Sequence, residues 1–167
     1  LNPTDGTEIY DTFSRTGLVS AAPADSGGVW SGNGWSCLGN GVAQGSNGGG
    51  MSYTCSAVDG AMELNLRMPT LPAPAASVSI RMYYGSLSHT FGSGLWASVI
   101  WNTVGSLVVG LWQTISGTTT NLIATFGFGT PISTAEQTAH IKLEVQGLTV
   151  ALAGSSNGGA VTTNSYT

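Results

Sequence analysis

Between Ala61 and Met68 the chain alternates without a break, with Met62, Leu64, Leu66 and Met68 apolar and Glu63, Asn65 and Arg67 polar between them. Successive side chains of a strand point to opposite faces, so this pattern predicts a strand with one face buried and one in water. After the proline-rich "PTLPAPA", Val78, Ile80 and Met82 alternate with Ser77, Ser79, Arg81 and Tyr83, which predicts a second. "GLWASVIWN" and "SLVVGLWQT" follow, joined by Thr103, Val104 and Gly105, a hairpin loop with glycine where a left-handed residue is wanted. "TNLIATFGF" reads as a further strand after the polar turn "SGTTT". "AHIKLEVQ" then turns at Gly147 into "LTVALAG", with Ile141, Leu143, Val145, Leu148, Val150 and Leu152 at the apolar positions. Nearer the start, "EIYDTFSR" predicts an edge strand carrying Ile9 and Phe13. "GWSCLG" and "MSYTCSA" predict short strands on either side of a flexible glycine-rich loop, "GNGVAQGSNGGG". The one helix candidate is "PISTAEQTA", where Ser133 and Glu136 have capping-box spacing, with room for one or two turns.

Short strands at close spacing, separated by glycine-rich turns, predict an all-β fold. The expectation is an antiparallel two-sheet β-sandwich of jelly-roll type with little or no helix, built as a single domain over residues 1–167.

Composition narrows the roles open to such a fold. Only 7% of the residues are charged, against about 25% in ordinary domains, while 25 are Gly, 20 Ser and 20 Thr. A net charge of −4 lacks the basic footprint on which nucleic-acid binding depends, and an acidic membrane surface would repel it. No apolar run reaches the ~18 residues of a membrane span, and Leu1 to Tyr10 lacks the basic and apolar regions of a signal peptide. The expectation is a mature or signal-less soluble protein with no membrane insertion. The sole Asn-x-Ser/Thr triplet, Asn2-Pro3-Thr4, is disabled by its proline, which favours a bacterial or viral source.

Two cysteines are present, Cys37 and Cys55, too few for a zinc site of three or four protein ligands. A disulfide between them would close a short loop and contribute about 3 kcal/mol in the chain-entropy model. It would place the protein outside a reducing cytosol. Two buried free thiols are the alternative.

The opening "YDTFSRTG", the "DSGGVWSGNGW" that follows, the strand "MELNLRM", and the run "GLWASVIWNTVGSLVVGLWQTISGTTTNLIA" closing with "HIKLEVQGLTVALAG" resemble the concanavalin A-like, laminin G-like jelly-roll domains. Such domains recur in phage tail fibres, minor tail proteins and other virion-surface proteins, and in secreted actinobacterial proteins. The resemblance covers nearly the whole chain and lies in turns and strands, not in a catalytic signature. It implies a further glycine-rich strand after the last hairpin. The sequence there reads "GGAVTTNSYT", so that strand is expected to be missing, altered or supplied from elsewhere.

With the hairpin loop at Thr103 to Gly105, Trp96 faces Trp112, Ser98 faces Gly110 and Ile100 faces Val108. Ala97, Val99 and Trp101 then oppose Leu111, Val109 and Leu107 on the other face. The Ala/Val/Leu set packs more easily into a sandwich core. That leaves Trp96 and Trp112 paired outside, beside Arg81 and Tyr83. Three roles are open to this surface. It can be a protein interface, where Trp, Tyr and Arg are the usual anchors, a platform stacking on the apolar face of a sugar, or a face covered by a loop such as "GSNGGG".

The acidic residues show no Glu-x-Asp-x-x-Glu run of the laminarinase-like enzymes of this fold, and no paired carboxylates for glycoside hydrolysis. Glu63 and Glu144 lie at polar strand positions, His89 and His140 match no triad or metal spacing, and Ser26 lacks the context of a nucleophile elbow. "GNGVAQGSNGGG" has no Lys-Ser/Thr end and is no phosphate cradle. Calcium remains open, through Asp11 or Asp25 with Asp59, since laminin G-like sandwiches often carry a rim site; a turn-capping role suits Asp25 better. No cofactor is otherwise expected.

The reading is therefore non-enzymatic: an extracellular or virion-surface structural or adhesion module, of phage fibre, tail or capsid-decoration type. Its expected partners are copies of itself or a larger structural protein, with a host cell-surface glycan as a further ligand. The alternative is a carbohydrate-binding module of a secreted bacterial protein.

Overall fold

Glycine-rich and threonine-rich segments form strands only where neighbouring backbones take up their N–H and C=O groups, because their side chains contribute little. In a computed structural model of the chain this happens throughout, with eleven strands and no α-helix among the described residues. Those residues are 11–21, 23–25, 30–39, 43–52, 59–68, 77–84, 94–102, 107–127 and 137–167. The chain divides into two units, Leu1–Ala57 and Val58–Thr167.

The first unit holds β1 (Thr16–Leu18), a 3-10 turn at Val19–Ala21, β2 (Ser31–Leu38) and β3 (Ala43–Ser52), in an antiparallel sheet of order β1-β2-β3. The glycine-rich stretch expected as a loop is therefore largely strand. Its glycines serve close approach: Gly45 lies opposite Trp35, and a Cβ there would stand 2.7 Å from the Trp35 ring. Phe13 is not in the expected edge strand. It has φ 51°, and the strand begins only at Thr16; Ile9 lies outside the described residues.

Of the expected bridge between Cys37 and Cys55, only Cys37 lies within the described residues. Cys37 is a buried free thiol. It pairs with Ala43 near the loop end of β2, whereas Ser31 pairs with Ser52 at the other end. Six residues of strand separate Cys37 from Ser31, roughly 20 Å at about 3.3 Å per residue. Cys55 lies outside the described residues.

The second unit is a two-sheet antiparallel sandwich. Its strands are β4 (Gly60–Met68), β5 (Ser77–Tyr84), β6 (Leu95–Asn102), β7 (Leu107–Ile115), β8 (Thr118–Gly127), β9 (Gln137–Gln146), β10 (Thr149–Ser156) and β11 (Thr162–Tyr166). One sheet has the order β11-β10-β9-β4 and the other β5-β6-β7-β8. Met82, Leu95, Ala97, Val99, Leu107, Val109, Leu111 and Ile123 from the second sheet meet Ala139, Ile141, Leu143, Val145, Val150 and Leu152 from the first. Met62, Leu64 and Leu66 pack against them from β4. The alternation read from the sequence sets these faces, and burial of the inner one drives the fold.

Four details bear on the expectations. "TTNSY" forms β11, paired antiparallel to β10 from Val150 to Gly154, so the closing strand is present in altered form, without the glycine-rich sequence. Leu148 sits in the turn between β9 and β10 and is 62% exposed, since a two-residue turn projects it outside the ladder. The turn after β7 is Ser116–Gly117, both with φ above zero, and the threonines behind it belong to β8. Of the helix candidate, Gln137, Thr138 and Ala139 are in β9; Ser133 and Glu136 lie outside the described residues, as does the Thr103–Gly105 loop.

Candidate functional site

The β6–β7 ladder pairs Trp96 with Trp112, Ser98 with Gly110 and Ile100 with Val108 on one face, and Ala97 with Leu111 and Val99 with Val109 on the other. Ala97, Val99, Val109 and Leu111 have no exposed surface, so this set fills the core as its shape predicts. The tryptophans stand on the outer face. Their rings stack with centroids 4.9 Å apart and planes 15° apart, and the Arg81 guanidinium lies 4.7 Å from the centre of the Trp96 ring. Because β6 runs between β5 and β7, Arg81 and Trp112 approach Trp96 from opposite sides. Trp96 thus has both ring faces occupied, and the column Arg81, Trp96, Trp112 crosses three strands.

Neighbouring groups hold the column upright. The Trp96 indole N–H donates to Thr114 Oγ1 at 3.2 Å, and the Thr114 and Thr119 hydroxyls share a hydrogen bond of 3.0 Å. The Trp112 ring leans over Gly110, where a Cβ would meet it at 2.5 Å. Beside this, the β7–β8 register shifts around Leu111, and the Asn121 side-chain amide donates to the carbonyls of Leu111 and Ile123 at 3.1 and 3.0 Å. Ile100 and Val108 continue the outer face and are half-buried. Tyr83 is in register with Trp96; its side chain lies outside the described residues. The four strands of this sheet contain one charged residue, Arg81.

The outer face of the other sheet is of a different kind. Lys142 lies 3.1 Å from Glu144 and 3.9 Å from Glu63, and His140 Nε2 lies 3.3 Å from Glu63 Oε2. The two carboxylates thus flank an ammonium group on a sheet surface. Ser155 is the register partner of His140. His89 and Ser26 lie outside the described residues.

Among the described residues no group of three His, Cys, Asp or Glu is placed to hold a metal ion, and the three aspartates considered for calcium each have protein donors. Asp59 accepts from the Gly147 amide at 3.1 Å. Asp25 accepts from the Thr12 amide at 2.8 Å and from the Thr12 hydroxyl, and these bonds hold its carboxyl below its ordinary range. Asp11 is the centre of a knot that the sequence did not reveal. It takes both terminal nitrogens of Arg15 at 2.7 and 2.8 Å, the Phe13 amide at 2.9 Å and the Trp30 indole N–H at 2.8 Å. Burial alone would raise this carboxyl, and the hydrogen bonds with the Arg15 charge outweigh it and hold it low. The Asp11–Arg15 spacing was the visible signal; Trp30, nineteen positions on from Asp11, was not.

No protein-family model matches the chain, and no curated protein and no solved structure matches it.

Proposed function

We propose that the chain is a non-enzymatic structural or adhesion module of jelly-roll type, similar to the concanavalin A-like, laminin G-like domains of phage fibres, tails and virion surfaces. In this reading it works on a virion surface or outside cells, by packing the β5–β8 face against copies of itself or against a larger structural protein. The observation that carries the reading is the column of Arg81, Trp96 and Trp112 on a sheet with no other charge in its strands. Solitary β proteins protect exposed faces and edges with charge, and this sheet does not. Trp and Arg are the anchors that interfaces favour.

A sugar-stacking platform is the weaker use of the same residues. Stacking a pyranose needs a free ring face, and Trp96 has Arg81 on one and Trp112 on the other. Sedimentation of the wild-type chain beside a Trp96→Ser/Trp112→Ser variant tests the proposal: the wild type associates and the variant does so far less.

A further inference from the structure

The four outer strands of the sandwich are not defended alike. The first sheet ends in β11 and β4, the second in β5 and β8. An edge strand leaves backbone N–H and C=O groups unpaired on one side, and charge, proline or a bulge keeps other chains from adding to it. β4 carries Glu63 and Arg67, and β5 carries Arg81. β8 has no charge, and its ladder with β7 shifts register on both sides of Leu111. β11, "TTNSY", has neither charge nor proline, and its ladder with β10 runs from Gly154–Thr162 to Val150–Tyr166 without a shift. Among the described residues it has a strand on one side only. Thr163, Asn164, Ser165 and Tyr166 are all exposed, although consecutive residues point to opposite faces.

What fits this edge is the same strand. Laid antiparallel against itself about Asn164, the register that pairs every residue, Thr162 comes opposite Tyr166, Thr163 opposite Ser165, and Asn164 opposite its copy. A β-branched residue facing an aromatic one, and a threonine facing a serine, are pairs that stabilise a ladder. No like charges meet, because the strand has none. Tyr166 keeps an interaction within its own chain and is still 39% exposed.

We infer that β11 pairs with β11 of a second copy, joining two four-stranded sheets into one continuous sheet. The inference rests on the assembly reading. The strand offers 5 residues a side, few against the ~20–30 of a stable interface, so the edge acts between chains that the Arg81, Trp96 and Trp112 face has already gathered. Each chain then has two self-matching surfaces. A pair formed through one leaves the other open, and association passes the dimer.

Sedimentation velocity of the whole chain over a concentration series tests this, with circular dichroism as the folding check. The wild type grows past the dimer. Asn164→Lys and Asn164→Glu, which set like charges face to face, each stop at the dimer, and an equimolar mixture of the two regains growth past it. That rescue also separates lost pairing from lost folding. A wild type that stops at a dimer abolished by Trp96→Ser/Trp112→Ser overturns the edge pairing and keeps the aromatic face. A dimer that survives this double change and is lost in Asn164→Lys supports the edge pairing and overturns the face. Growth of either Asn164 variant alone to wild-type size, no rescue in the mixture, or a wild type that stays monomeric overturns the pairing.

Discussion

Trp96 and Trp112 stand directly across the β6–β7 ladder from one another and stack at 4.9 Å, with Gly110 providing the space into which Trp112 leans. A methyl group at Gly110 would collide with that ring at 2.5 Å and meet Thr125 Cγ2 at 3.0 Å. Gly110→Ala is therefore expected to push Trp112 out of the stack. The stacked pair gives an exciton couplet in far-ultraviolet circular dichroism, and the couplet should collapse in Gly110→Ala while the strand signal remains. An unchanged couplet would mean that Gly110 does not set the ring's position.

The two faces of the hairpin should differ sharply in cost. Leu111 has no exposed surface, and truncating such a core residue costs about 2–5 kcal/mol. Ile100, on the outer face, is half-buried. Urea unfolding of Leu111→Ala and Ile100→Ala should show the first losing at least twice the stability of the second. Equal losses would mean the outer face is packed as tightly as the core.

The hairpin was readable before the structure because its two strings alternate in step around a glycine-bearing loop, so one loop position sets every cross-strand pair. Which face turned inward followed from shape, since Ala, Val and Leu interdigitate between sheets and paired indoles do not. The β3 strand was not readable, because a run such as "GSNGGG" has no side-chain period and its pairing is set by β2. The stacking of Arg81 on Trp96, and with it the loss of a free ring face, depends on side-chain rotamers that no pattern of residues specifies.

Asp11 should show its burial in the pH dependence of stability. Its folded-state carboxyl titrates below its ordinary value, so its contribution is fully present above the ordinary carboxylate range and is lost as pH falls through the depressed folded value. The Asp11 side chain is 1% exposed, and removing one partner of a buried ion pair costs about 3–5 kcal/mol. Thermal melts should place Asp11→Asn well below the wild type at neutral pH, with the gap narrowing in acid. A gap that stays constant down to the acid limit would contradict the ionised knot.

Both cysteines should be free. Native protein, denatured without reductant in the presence of a thiol alkylator, should gain two labels by intact mass. A mass with no label would show a bridge and contradict the free Cys37 thiol.

The central claim is that the Arg81, Trp96 and Trp112 face is an assembly surface. Sedimentation velocity over a range of concentrations, on the wild type and on Trp96→Ser/Trp112→Ser, tests it most directly, with circular dichroism as the folding check. The account predicts association that grows with concentration for the wild type, and a folded variant that stays largely monomeric. A wild type that remains monomeric at the highest concentration, or a variant that associates as strongly, would contradict it.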